Sequence, residues 1–155
     1  MQTLLVRLVA SGFCHTDHMT YEGAFKTALP FTGSHEPTGT VAALGPDVSG
    51  NWKVGDRVGV YLFRDACGTC NGCKWCSATH DEKPTGRYCE NRSMHGIVGR
   101  DGGFAEYMIT SDVAIMKIPD NLPFERKIVH MLLLLKFSFL ECIRSMHYTG
   151  LCSRN

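Results

Sequence analysis

Apolar residues in this chain fall into short runs set apart by glycine, proline and aspartate, the spacing of strands and turns. TLLVRLV, residues 3–9, is rich in β-branched and aliphatic side chains and predicts a buried strand. CHTDHMTY, residues 14–21, offers short polar residues suited to opening a helical turn, with Gly23 to close it, which places Cys14 at a loop-to-helix junction. TGTVAALG (38–45) predicts a strand ending in a Gly-Pro-Asp turn, and GDRVGVYL (55–62) its partner, entered through Gly55-Asp56. FAEYMIT (104–110) and VAIMKIP (113–119) predict two more strands. The pattern changes at Arg126: Met131 to Cys142 packs nine apolar residues, broken by Lys136, Ser138 and Glu141. That run falls short of the roughly 20 apolar residues a membrane-crossing helix needs, and predicts a buried helix instead.

Composition narrows the function. A length of 155 residues suits one domain with its own core. A net charge of +1, from 16 basic and 15 acidic residues with no basic stripe, argues against nucleic acid or an anionic membrane as partner and for a small neutral one. The first thirteen residues carry only Arg7 as a charge and lack the basic leader of a secretory signal, so a cytoplasmic location is expected.

Eight cysteines are an even number, and disulfides are the first reading to weigh. Cys67, Cys70, Cys73 and Cys76, however, recur every third residue. Neighbours that close are hard to join in disulfide geometry, whereas thiolates converging on one ion meet no such obstacle. With Cys89 the segment holds five cysteines where a tetrahedral site takes four, so Cys76 and Cys89 compete for the fourth place. Far upstream, Cys14 and His35 offer a thiolate and an imidazole 21 residues apart, the ligand types of a catalytic metal site with one open corner, but by themselves they read as a buried free cysteine and a surface histidine.

Read together, GFCHTD (12–17), HEPTGTVAALGPDV (35–48), GDRVG (55–59), and CGTCNGC (67–73) with a later cysteine and GGFAEY (102–107) resemble the zinc-dependent alcohol dehydrogenases of the medium-chain dehydrogenase/reductase superfamily. The family's spacing of His-Glu, Gly, Gly and Val is met by His35, Glu36, Gly39, Gly45 and Val48, and only its leading glycine departs, being Ser34. The likeness covers about residues 2–125. It implies a mainly β fold with short helices, a GroES-like twisted antiparallel barrel, as a catalytic domain over residues 1–125 with a structural-zinc lobe at 67–89.

The resemblance also implies roles. Cys14 and His35 are similar to two ligands of the catalytic zinc, and Glu36 to the acidic neighbour that can approach the metal. Asp17 is similar to the carboxylate that orients the site, Thr16 to the hydroxyl that bonds the substrate alcohol, and His15 to the position near the cofactor pyrophosphate. The proton-relay histidine of the family falls on Met19, which leaves His18 as a surface residue. Cys67, Cys70 and Cys73 are similar to three ligands of the structural zinc; where its fourth falls stands Asp81, and register favours Cys89 over Cys76.

Zinc at two sites, NAD, a small alcohol or aldehyde substrate and a homo-oligomeric state are what the likeness implies for an intact parent enzyme. It also marks departures. Leu132 stands where the third catalytic cysteine is expected, and no G-x-G-x-x-G opens a nucleotide-binding Rossmann domain. Residues 126–155 are therefore expected to be a divergent tail of a truncated or misjoined gene product, inactive alone. The competing expectation is a non-enzymatic zinc module whose cysteine lobe binds a protein.

Overall fold

A computed structural model describes residues 2–80 and 86–125. Its framework is a five-stranded antiparallel sheet. Strand β1, Thr3–Ser11, lies between β2, Pro37–Leu44, and β7, Tyr107–Ser111; beyond β2 follow β3, Arg57–Val60, and β8, Ile115–Lys117. Between β1 and β2 sits the short helix α1, His15–Tyr21. The fold is mainly β with two short helices, and the sheet curls into half a barrel. No helix among the described residues is long and apolar enough to cross a membrane.

The curl follows from alternation. Leu4 and Val6 of β1 point to the concave face with Val41, Val58, Val60, Met108 and Ile115, and these seven side chains form one buried cluster against which Leu8, Val48 and Trp52 pack. Each such side chain taken out of water contributes roughly 1.5–3 kcal/mol. Strands β1 and β2 approach unusually closely at one point. A Cβ on Gly39 would lie 2.1 Å from the Arg7 carbonyl oxygen, so the family-pattern glycine is there because no side chain fits.

Several element boundaries differ from the sequence-based expectation. The strand expected over 55–62 is two strands: after β3 the chain leaves the large sheet and Phe63–Arg64 pairs as β4 with β5, Ser93–His95, in a small sheet completed by β6, Gly99–Arg100. The cause is a change of partner, since Tyr61 N–H still bonds Ala114 while the Leu62 carbonyl already accepts from His95 N–H. The strand expected from Phe104 begins only at Tyr107. The amides of Gly103 and Phe104 are committed to the carbonyls of Ser34 and Gly33, outside the sheet. The strand expected from Val113 starts at Ile115, after a 3-10 turn over Asp112–Ala114. Helix α2, Asn71–His80, is an element the hydrophobic pattern does not announce. The apolar run after Arg126, with Leu132, Cys142 and Cys152, lies outside the described residues.

His95 pins the small sheet to the large one. Its Nδ1–H donates to the Asp101 carbonyl at 3.3 Å and its Nε2 accepts from the Thr110 hydroxyl at 3.2 Å, a pairing that requires the neutral ring. Burial pushes its pKa from 6.5 to about 4.

Two expectations follow. Gly39→Ala should cost about 1–3 kcal/mol of unfolding free energy, read by urea denaturation, because the added carbon must part β1 from β2. For His95, the unfolded chain accepts a proton near pH 6.5 that the folded chain refuses until about pH 4. Stability contributed here is complete above pH 6.5 and is lost as pH falls toward 4. The loss at pH 5 should be ~2 kcal/mol relative to pH 7.5. Comparing His95→Gln with the parent at both pH values checks this, since the glutamine variant should lack that part of the slope.

Candidate metal centres

Cys14 caps the N-terminus of α1, an unusual residue for that place. Its Sγ accepts from the Thr16 amide at 3.3 Å, and its own amide donates to Asp17 Oδ2 at 2.9 Å. The second oxygen of the same carboxylate, Asp17 Oδ1, accepts from the Ser34 amide at 2.8 Å. Asp17 thus holds the start of α1 and the residue before His35 with one buried side chain. In consequence Cys14 Sγ lies 3.6 Å from His35 Nε2, and His35 Nε2 lies 3.7 Å from Glu36 Oε1.

The donor set of Cys14, His35 and Glu36 suits a zinc ion. Tetrahedral bonds of ~2.3 Å to sulfur and ~2.05 Å to nitrogen set an S···N edge of about 3.6 Å. One ligand atom from each of the three residues falls within 4.8 Å of the others. His35 Nδ1 and Glu36 Oε1 are buried without a hydrogen-bond partner among the described residues. Burial raises the Glu36 pKa above the ordinary carboxylate value, His35 opposing the shift and the Asp17 charge adding to it.

Around this centre the other sequence-predicted residues take distinct places. Thr16, half-buried, lies in the first turn of α1, two residues beyond Cys14. His15 is exposed at the first helical position and stacks on His18 at 6.0 Å between ring centroids. His18 pairs with Glu22 at 3.4 Å on the exposed side of the helix. Ser34, marked by the sequence only as a departure from the family's leading glycine, is given no role there. It is fully buried and its backbone is in the left-handed region at φ +74°, a conformation that costs a non-glycine residue of order 1–3 kcal/mol. The signal that could have found it is its place at the family's leading glycine.

The second centre gathers Cys67, Cys70, Cys73 and Cys89, with one Sγ from each within 4.8 Å of the rest. Two sulfur pairs, Cys67 with Cys73 and Cys70 with Cys89, are 4.0 Å apart, close to the ~3.8 Å edge of a tetrahedron of ~2.3 Å zinc–sulfur bonds. Backbone amides point at the sulfurs. Cys67 Sγ accepts from the Cys70 amide at 3.4 Å, Cys70 Sγ from the amides of Cys73 and Glu90 at 3.5 and 3.4 Å, and Cys89 Sγ from the Cys67 amide at 3.4 Å. Backbone donors at Thr69 and Cys70 lower the Cys67 thiol to about 5, and those at Glu90 and Cys73 lower Cys70, while burial pushes Cys73 up to about 12. Cys76 is buried on α2 outside the group. The six cysteines among the described residues are all free thiols, so no disulfide competes for them.

The geometry can be set beside known proteins. The alcohol dehydrogenase GroES-like domain family matches residues 1–120. An alcohol dehydrogenase of Geobacillus stearothermophilus is 40% identical over 124 residues, 79% of this chain and 34% of the relative. The solved structure of an NAD-dependent alcohol dehydrogenase superposes with a TM-score of 0.67 at 28% identity, covering 80% of this chain and 34% of that one. A protein from Sinorhizobium meliloti 1021, assigned as a zinc-binding dehydrogenase and solved bound to NADP, gives a TM-score of 0.67 at 32% identity over 79% of this chain and 32% of that one. The chain spans about a third of the length of the curated relatives it matches. With the family pattern, the half-barrel and both thiol-bearing centres in place, this chain belongs to the alcohol dehydrogenase family, whose GroES-like domain it carries.

Proposed function

We propose that residues 1–125 are the zinc-binding catalytic domain of an alcohol dehydrogenase that interconverts alcohols and aldehydes or ketones with NAD. The observation that carries this reading is the convergence of half-buried Cys14 with buried His35 and Glu36 at the start of α1. Cys14 and His35 would hold a catalytic zinc with Glu36 beside it, and Cys67, Cys70, Cys73 and Cys89 a structural one. Bound at the first centre, zinc would act as a Lewis acid on the substrate oxygen and lower its pKa toward neutrality. The chain's own residues do the rest. Asp17 fixes the angle between the two ligand-bearing segments through its paired amide bonds. Thr16, in the first turn of α1, offers a hydroxyl to accept the substrate's proton, and exposed His15 lies at the position that approaches the cofactor pyrophosphate. Six free thiols suit a reducing, cytoplasmic setting.

NAD is taken from the family resemblance; of the two solved neighbours above, one is NAD-dependent and the other was solved bound to NADP. A lobe-only module for protein binding would account for Cys67 to Cys89 but leaves the converging trio of Cys14, His35 and Glu36 without a role. Residues 126–155 are proposed as a divergent tail, and the 155-residue chain as inactive alone, since it carries no glycine-rich dinucleotide turn.

Zinc titration of the chain should resolve two populations. Cys67→Ser or Cys89→Ser should abolish the tight one, and Cys14→Ser or His35→Ala should weaken the looser one at least ~10-fold. A single population indifferent to Cys14 and His35 would overturn the dehydrogenase reading in favour of the module. NAD-dependent ethanol oxidation by this chain should stay at background, and robust turnover would refute the proposed inactivity.

A further inference from the structure

We infer that the Ser34 hydroxyl is a positioning group for the Cys14–His35–Glu36 centre, doing in this chain what a glycine at that place cannot. The inference rests on the site reading proposed above and concerns how the site is kept in shape.

Four bonds converge on Ser34 besides the Asp17 bond to its amide. Its Oγ–H donates to the Gly12 carbonyl at 2.8 Å, and its Oγ lies 2.6 Å from the Ser11 hydroxyl, which donates to it. The same oxygen receives the Glu36 amide at 3.4 Å. Its carbonyl accepts from Gly103 N–H at 2.8 Å. Gly12 answers in kind: its N–H donates to the Glu36 carbonyl at 3.3 Å. Gly12 and the Ser34–Glu36 segment therefore clasp each other twice, two residues before Cys14 on one side and across His35 on the other.

The left-handed backbone at Ser34 does not relax, because its surroundings leave it no room. A Cβ on Gly96 would lie 2.1 Å from the Ser34 carbonyl oxygen, and one on Gly102 would lie 2.0 Å from it. Glycines on both sides let the Ser34 carbonyl sit against bare backbone. A glycine at residue 34 would adopt the same conformation freely. It would leave the Ser11 hydroxyl and the Gly12 carbonyl without their partner and Glu36 N–H without its acceptor. A serine kept at an unfavourable φ, with every hydrogen-bonding position of its hydroxyl used, is the pattern of strain retained for a site.

Cobalt(II) titration of the whole 155-residue chain tests this. The reporter is the part of the cobalt absorption that Cys14→Ser removes, and the lobe's thiolate absorption serves as internal control for folding. Ser34→Gly should weaken the Cys14-dependent band's affinity about tenfold and shift its wavelength, with the lobe spectrum unchanged and the unfolding midpoint equal or higher. Ser34→Ala keeps the Cβ and the strain, and should weaken the band comparably while lowering the midpoint. If Ser34→Gly fails to keep the lobe spectrum, the Ser34→Ala result decides. Parent-like affinity and wavelength in the decisive variant overturns the positioning role and leaves the site reading intact. Absence of any Cys14-dependent band in the parent overturns the site reading, and this inference with it.

Discussion

The Asp17 carboxylate donates nothing and accepts from two amides, Cys14 N–H and Ser34 N–H, that belong to segments seventeen or more residues apart in sequence. Buried, its oxygens would be costly without such partners, and with them both carboxylate oxygens are satisfied by directional bonds. Everything around the first centre hangs on this. The bond to Cys14 N–H closes the first turn of α1, a helix of seven residues that has little apolar face to stabilise it. The bond to Ser34 N–H aims the next residue, His35, at the sulfur. One side chain therefore does the work of a helix cap and of a loop anchor, and the ligand atoms meet because both tasks share it.

The two centres are built by different means, and that difference decides how far each was legible. The thiol lobe takes three of its members from seven consecutive residues, Cys67 to Cys73, so spacing alone exposes it. Between Cys76 and Cys89, it is the Cys89 sulfur that lies with those three in the structure, while Cys76 sits on α2 outside the group. That helix was not legible, because NGCKWCSATH has no apolar stripe and its Cys73 amide is bonded to the Cys70 sulfur. The first centre, in contrast, depends on contacts between positions 14, 17 and 34–36, which no local period encodes. Only the family pattern pointed to them.

Strands fared better where their burial is one-sided. Residues 3–9 were legible because aliphatic side chains at Leu4 and Val6 face the core, and the helix opening at Cys14 because polar residues follow at once. The segments 55–62 and 104–110 were misjudged in extent because their apolar residues change partners midway. Tyr61 bonds Ala114 just before β8 while Leu62 bonds His95 of β5, and Gly103 and Phe104 are spent on Ser34 and Gly33. Hydrophobic pattern records which residues avoid water, and it is silent on which backbone they pair with.

The geometry of the Cys14–His35 centre is consequently a matter of sheet register. β1 ends at Ser11, which pairs with Pro37, the first residue of β2. Cys14 lies three residues beyond one end of that pair and His35 two residues before the other. A slip of one residue between β1 and β2 would carry the two ligands apart by about 3.3 Å, more than a zinc–ligand bond. Gly39 resists that slip, because Arg7 carbonyl backbone fills the space where any other residue would place its Cβ. The ladder has irregular steps at Leu5/Val6 and Leu8/Ala10, the second within three residues of the end that bears the site. A glycine in mid-strand, two steps in the ladder and the Ser34–Gly12 clasp at its end thus act in series. Each removes a freedom that the preceding one leaves, until only the rotamers of Cys14, His35 and Glu36 remain to be set.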